Sequence, residues 1–419
     1  MRKRNLLLLI LFCILSLCAF TGLLVYAFHL QNERDLKDSE AGRNTENNIS
    51  QEDNDVPEAP TPTAAPAKQD IPSAKPSTAA PTDAASQTTA APTPTAIAES
   101  ASSKPVVLAF AGDVNLDENS YPSAKYDAEK KDILGCLSED LIREMNAADI
   151  MMLNNEFAYS TRGTKELDKS YTFRAAPGRV EILQKMGVDI VSLANNHALD
   201  YGQDALSDTF DTLDNAGIDY VGAGNNLDRA KAPVYYTVGN KKIAFLAASR
   251  VVFAMDWYAS DNGPGMIGTY DPALILESIK EAKKNSDYAV VFVHWGVERE
   301  NYPVDYQRSL ARKYIDAGAD AVIGCHPHVM QGFEFYKGKP VAYSLGNFWF
   351  NKNTEKSGLL KLYLDPDKGV RMQINPAATK DTFTYLLTKE SEKKSYFKFM
   401  KDISFDVDID GDGYVSSAE

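Results

Sequence analysis

The sequence predicts an α/β fold with mixed sheets, and three observations carry that prediction. Between residues 105 and 400, short apolar runs alternate with segments of helical spacing. Two turn signals, Gly239-Asn240 before Ile243 and Lys337-Gly338 before Val341, mark hairpins, so the strands are not all parallel. Four of the five histidines, His197, His294, His326 and His328, stand just past strand-like runs. In an α/β sheet, side chains at strand ends line a shared crevice.

The chain has 419 residues and uneven composition. Met1-Arg2-Lys3-Arg4 is basic, and residues 6–28 carry no charge. That span exceeds the ~20 residues needed to cross a bilayer, and the basic cluster before it favours a cytoplasmic N-terminus. No small-x-small cleavage site closes it cleanly, so residues 1–30 are expected to be an uncleaved single-pass membrane anchor. The rest of the chain would then face outside, as on a Gram-positive type of cell. Residues 31–104 turn to Ala, Pro, Thr, Ser and Gln, with too few apolar side chains for a core. A disordered spacer is expected there.

Residues 105–400 form the expected globular unit. Val106 to Ala111 is a strand that runs into Gly112-Asp113. Leu134, Leu137, Leu141 and Ile142 have helical spacing. A second strand, Ile150 to Leu153, delivers Asn154-Asn155-Glu156. Ile190-Val191-Ser192-Leu193-Ala194 delivers Asn195-Asn196-His197, and Ala289-Val290-Val291-Phe292-Val293 delivers His294. Ala321-Val322-Ile323 leads into Gly324-Cys325-His326-Pro327-His328. There is no internal repeat. Outside the N-terminal segment only Cys136 and Cys325 remain, and two free thiols are expected.

Asp113, Glu156, Asn196, His294, His326 and His328 therefore collect at strand ends. Carboxylate, amide and imidazole together suit a divalent ion such as Mn²⁺, Zn²⁺ or Fe²⁺. One or two such ions, sharing a carboxylate, would activate water for hydrolysis. The net charge of −14 excludes a broad basic track for nucleic acid.

Ala111-Gly112-Asp113-Val114, Asn154-Asn155-Glu156, Leu193-Ala194-Asn195-Asn196-His197, His294-Trp295-Gly296, Gly324-Cys325-His326-Pro327-His328-Val329 and Tyr343-Ser344-Leu345-Gly346-Asn347-Phe348 resemble the CapA family. That family is linked to poly-γ-glutamate capsule synthesis and related to calcineurin-like metallophosphoesterases. The resemblance implies a four-layer α/β/β/α sandwich of two mixed sheets between helices, with a dimetal site at the strand ends. It implies Asp113, Glu156, Asn196, His294, His326 and His328 as metal ligands, and His197 as acid or transition-state stabiliser. Where the phosphoesterase pattern has Asp-x-His, Asp113-Val114-Asn115 puts the amide of Asn115 at the second position. Arg174, in Phe173-Arg174-Ala175-Ala176-Pro177, resembles a family arginine and could grip a carboxylate or phosphate bidentately. Glu298 and Arg299, just beyond His294, are expected at the rim.

Residues 401–419 form an acidic tail that matches an EF-hand calcium loop, D-x-D-x-D-G-x₅-E. Asp408, Asp410, Asp412, Tyr414, Ser416 and Glu419 would be its ligands, after a helix over residues 390–400. Three functions fit the whole: a surface metal-dependent hydrolase acting on an anionic polymer such as polyglutamate, a non-catalytic polymer-binding part of a synthesis or export assembly, and a phosphoesterase. The first is the expectation.

Overall fold

The computed structural model describes residues 104–365 and 368–418. The expected membrane anchor, nearly all of the spacer, and Glu419 lie outside the described residues. Among the described residues, no helix is long and apolar enough to cross a membrane.

The first mixed sheet begins with β1 (Val106–Val114), β2 (Ile150–Asn155), β3 (Ile190–Ser192) and β4 (Asp219–Val221), paired in parallel. The chain then builds a second, six-stranded mixed sheet from β5 (Val234–Val238), β6 (Lys241–Ser249), β7 (Tyr288–His294), β8 (Ala321–Cys325), β9 (Met330–Tyr336) and β10 (Lys339–Leu345). Its order is β9-β10-β8-β7-β6-β5, with both expected hairpins, β5–β6 and β9–β10, at its edges. The chain returns to the first sheet with β11 (Thr354–Asp365), β12 (Gly369–Lys380), β13 (Val407–Ile409) and β14 (Tyr414–Ser417). β11 lies antiparallel to β1, and β12 antiparallel to β11.

Side-chain alternation along the strands separates three apolar layers. Leu108 and Phe110 of β1 share a buried cluster with Phe245, Val290, Phe292 and Ile323, so the two sheets face each other. The alternate residues Ala109 and Ala111 pack outward with residues of α1 (Glu139–Asn146), α2 (Val180–Met186) and α3 (Gly202–Ala216). On the other side, Val291 and Val293 pack with α4 (Ala273–Lys284) and α5 (Asp305–Ala317). Glycine closes α2 and α3: Gly187 and Gly217 take the left-handed conformation that a side chain would disfavour.

Two local expectations change. The helical spacing across Leu134 and Leu137 does not give one helix. A short 3₁₀ turn, Ile133–Gly135, is followed by α1, because Thr384 takes the backbone between them: Thr384 N–H donates to Cys136 O, and Ser138 N–H to Thr384 O. Cys136 sits in that break, and both Cys136 and Cys325 are free and buried. The tail is also no separate appendage. α6 (Glu390–Asp402) forms as expected, but β13 and β14 then make a hairpin that pairs with β12, burying Val407 and Val415 in the layer between the sheets.

Gly112 marks one of the tightest backbone approaches among the described residues. A Cβ built there would lie 1.9 Å from Gly346 O. Gly112→Ala should therefore destabilise the protein by about 1–3 kcal/mol in urea unfolding. Gly178→Ala, where a Cβ meets nothing within 4 Å, should leave the midpoint unchanged.

Candidate metal centre

The close approach at Gly112 lets Asp113 N–H donate to Gly346 O at 2.9 Å, which locks the end of β1 against the segment leaving β10. Asp113 is fully buried. Beside it, β2 ends at Asn154 and Asn155 and the chain turns inward at Glu156, also fully buried. Asn154 is the joint of the site: its Nδ2 is 2.8 Å from Asp113 Oδ1 and 3.3 Å from Glu156 Oε2, while its Oδ1 accepts from Asn195 Nδ2 at 3.1 Å. Asn195 then accepts the His197 N–H at 3.0 Å, which sets the turn presenting Asn196 and His197.

The second sheet supplies the imidazoles. β7 ends at His294, and β8 ends one residue before His326. His326 and His328 adopt φ of 100° and 58°, left-handed values that cost non-glycine residues about 1–3 kcal/mol each. Contacts to the first sheet hold them there. His326 N–H points to Asp113 Oδ2 at 3.3 Å, and His328 Nδ1 lies 2.8 Å from Asn347 Oδ1 and 3.3 Å from Asp113 Oδ2.

These groups converge on Glu156 Oε1. His294 Nε2 is 3.6 Å from it, His197 Nε2 3.9 Å and His328 Nε2 4.0 Å. Asn196 Oδ1 is 2.7 Å from His294 Nε2. Among the described residues four sets of donor atoms lie within 4.8 Å of one another, and two of them share an acid: Asp113 with Glu156 and His328, and Glu156 with His294 and His326. Glu156 belongs to both.

The electrostatics are unbalanced without a cation. Burial, and then the charge of Asp113, push the Glu156 carboxyl well above its ordinary value. Burial and the neighbouring His326 hold His294 well below the ordinary histidine value. Burial lowers His326 to about 4, and burial with Lys169 lowers His197 to about 4. Burial would raise Asp113 and lower His328, but their mutual contact wins, holding Asp113 below and His328 above the usual values. Glu156 Oε1 and His326 Nδ1 are buried without a hydrogen-bond partner. Unsatisfied buried polar atoms are rare, and neutral imidazoles with carboxylates are the donor set of divalent transition metals. The residues therefore fit one ion or a pair bridged by Glu156.

His197 is held differently. Its Nδ1 lies 2.6 Å from Asp200 Oδ2, so Nδ1–H donates and Nε2 faces Glu156. Asp200 also accepts from Lys169 Nζ at 2.5 Å and Phe173 N–H at 2.7 Å, and Lys169 bonds the carbonyl of Asn196. The Phe173 ring covers the imidazole at 4.2 Å between centroids.

The remaining predicted residues fall elsewhere. Asn115 Oδ1 accepts the Asp117 N–H at 2.8 Å, a local turn, and Asn115 makes no bond to the cluster among the described residues. Arg174 places its guanidinium over the Tyr201 ring, 4.1 Å from the centroid, and donates to Arg162 O at 2.9 Å. In the tail, Asp408 pairs with Lys401 and lies across the hairpin from Ser416. Asp410 Oδ1 caps the N–H groups of Asp412 and Tyr414, each at 2.9 Å, and Asp410 N–H takes the Tyr414 carbonyl at 3.0 Å. Asn154, Asn347, Lys169 and Asp200 were not singled out from the sequence. Asp200 had a local signal, three residues after His197; Lys169 had none.

Residues 107–352 match the family described as bacterial capsule synthesis protein PGA_cap. The chain belongs to this family. The PGA_cap match spans every strand end that builds the cluster and stops before α6 and the tail hairpin. Over 234 residues the chain is 36% identical to the PGA biosynthesis protein CapA of Bacillus subtilis, covering 55% of this chain and 61% of that one. It is 34% identical over 248 residues to the capsule biosynthesis protein CapA of Bacillus anthracis, covering 57% and 60%. A probable polyglutamine synthesis accessory protein of Mycobacterium tuberculosis is 31% identical over 215 residues, covering 49% and 57%. The chain thus spans about six-tenths of the length of these relatives. Solved structures are more distant: a phosphatase from Mycoplasma pneumoniae is 12% identical with a TM-score of 0.42, covering 66% of this chain and 95% of that one.

The buried histidines imply a pH dependence for the metal-free fold. His197 and His326, at about 4 when folded and about 6.5 when unfolded, take up protons first in the unfolded chain, as does His294. Their contribution is complete above about 6.5 and is lost as pH falls towards 4. Glu156 and His328, both raised, act with the opposite sign. Removing one depressed histidine isolates its share: metal-stripped His326→Asn should lose less stability than metal-stripped wild type between about pH 6.5 and 4 in urea unfolding.

Proposed function

We propose that this chain is a membrane-anchored, extracellular metal-dependent hydrolase that acts in the handling of polyglutamate or a similar anionic polymer. The observation that carries the reading is the buried meeting of Glu156 Oε1 with the imidazoles of His294 and His328, with His197 Nε2 beside them and held in one orientation. The similarity to capsule and PGA biosynthesis proteins supports the polymer. The uncharged run at residues 6–28 behind a basic start supports the anchor.

Asp113, Glu156 and His328 would hold one ion, and Glu156, His294 and His326 a second, with the Asn196 amide in reach of the His294 side. A divalent ion in such a site supplies Lewis-acid polarisation and lowers the pKa of water. The chain's own residues do the rest. Asn154 fixes the two carboxylates relative to each other through its amide. Asp200 keeps the His197 Nδ1 proton in place, leaving Nε2 to take or return a proton at the reacting group. Lys169 balances the Asp200 charge and ties it to the Asn196 backbone. Phe173 excludes water from one face of His197.

The anchor is tested by washing membranes at high salt: the full chain should stay with them, and a soluble product starting near Gln31 would show cleavage instead. Catalysis is tested at His197, which bears on protons more than on metal. His197→Ala should keep its metal and its polymer affinity while losing ~10²–10⁴-fold in turnover. If wild type binds polyglutamate yet releases no product from it or from phosphodiesters, the protein is a binding component and the hydrolase reading fails.

A further inference from the structure

Glu298 has no role in the arrangement described so far. Its carboxylate oxygen lies within 4.8 Å of donor nitrogens of both His326 and His328, one member of each metal-holding set. It is half-buried and has no hydrogen bond or ion pair among the described residues. Glu298 thus adds a further carboxylate where His326 and His328 meet, an oxygen donor beside Asp113 and Glu156 in reach of the same imidazoles.

The loop is built to hold it there. Trp295 N–H donates to Cys325 O at 3.0 Å, and Arg299 N–H to Pro327 O at 2.9 Å, so Glu298 is bracketed against the turn that carries both histidines. Two left-handed residues make the bend: Gly296 at φ 104° and Arg299 at φ 65°. A Cβ at Gly296 would meet Pro327 Cγ at 2.8 Å and the Gln307 side chain near 3.0 Å. Tyr306 Oη accepts the Gly296 N–H at 2.7 Å and donates to its carbonyl at 3.2 Å. Strain of this kind at Arg299 persists only where surrounding contacts demand it. Asn115, by contrast, accepts the Asp117 N–H through its side-chain oxygen.

We propose that Glu298 is a metal ligand, a further carboxylate beside His326 and His328 that spans their two sets. Metal–ligand bonds of about 2.0–2.2 Å put two donors on one ion at most ~4.4 Å apart, so small side-chain rotations bring these three groups onto a common ion. The inference rests on the metal reading of the site.

The test uses the full chain, stripped with a chelator and then titrated with Mn²⁺ or Zn²⁺ alone, by calorimetry and by elemental analysis after desalting. Glu298→Gln, which keeps the shape and removes the charge, should bind at least one of these ions ~10-fold or more weakly. The urea midpoint of the metal-free variant should match wild type, which separates lost ligation from lost folding. Glu298→Asp, acidic but shorter, should fall between the two, and it carries the test if the glutamine variant does not fold. Binding by both variants within twofold of wild type, at equal stoichiometry, overturns the role of Glu298 while leaving the centre intact. Failure of wild type to bind either ion removes the metal reading itself, and Glu298 with it.

Discussion

A carboxylate buried between two sheets sets the terms for this structure. Glu156 has one oxygen held by Asn154 and the other without a hydrogen-bond partner, surrounded by the Nε2 atoms of His294, His197 and His328. Burying an isolated charge is expensive, and such a group either takes up a proton or sits against a cation. Asp113 raises the cost further by placing a second carboxylate nearby. His294 and His326, which burial keeps neutral, cannot offset it as cations, but as lone-pair donors they are suited to sharing one.

The surrounding fold brings the two sheets close enough to make that cluster. Gly112 gives up its side chain so that β1 can lie on the Gly346 backbone, and Asp113 then reaches across to the turn after β8. His326 and His328 accept left-handed backbone to face the first sheet, and the Asp113 and Asn347 side chains meet them there. Each sheet is incomplete alone. The first carries acids and amides, the second carries His294, His326 and His328, and the apolar layer between them sets their spacing. His197 stands at the same lip, with its Nδ1 committed to Asp200, which Lys169 also holds.

Much of this was legible in the residue pattern, because strand-end chemistry follows directly from where apolar runs stop. The strands that deliver Asp113, Glu156, His197, His294 and the His326/His328 pair could be read that way, as could both hairpins. What could not be read depends on contacts distant in sequence. Asn154 stood beside the Glu156 motif, yet its role appears only when Asp113, Asn195 and His294 surround it. Lys169 lies in a polar loop with no periodicity, and it matters because folding carries it onto Asp200. Asn115 and Arg174 had the right chemical type, but nearer partners, the Asp117 N–H and the Tyr201 ring, claim them. The tail spells a calcium loop, and nothing in that spelling shows that its hairpin pairs with β12 or that Lys401 meets Asp408.

X-ray absorption on the zinc-loaded full chain tests the central claim most directly, because it reads the atoms around the ion without reference to any substrate. The account predicts nitrogen and oxygen neighbours at about 2.0–2.2 Å together with the outer-shell scattering of more than one imidazole ring. A shell of oxygens alone, with no imidazole scattering, would place the metal away from Glu156 and its histidines and contradict the account.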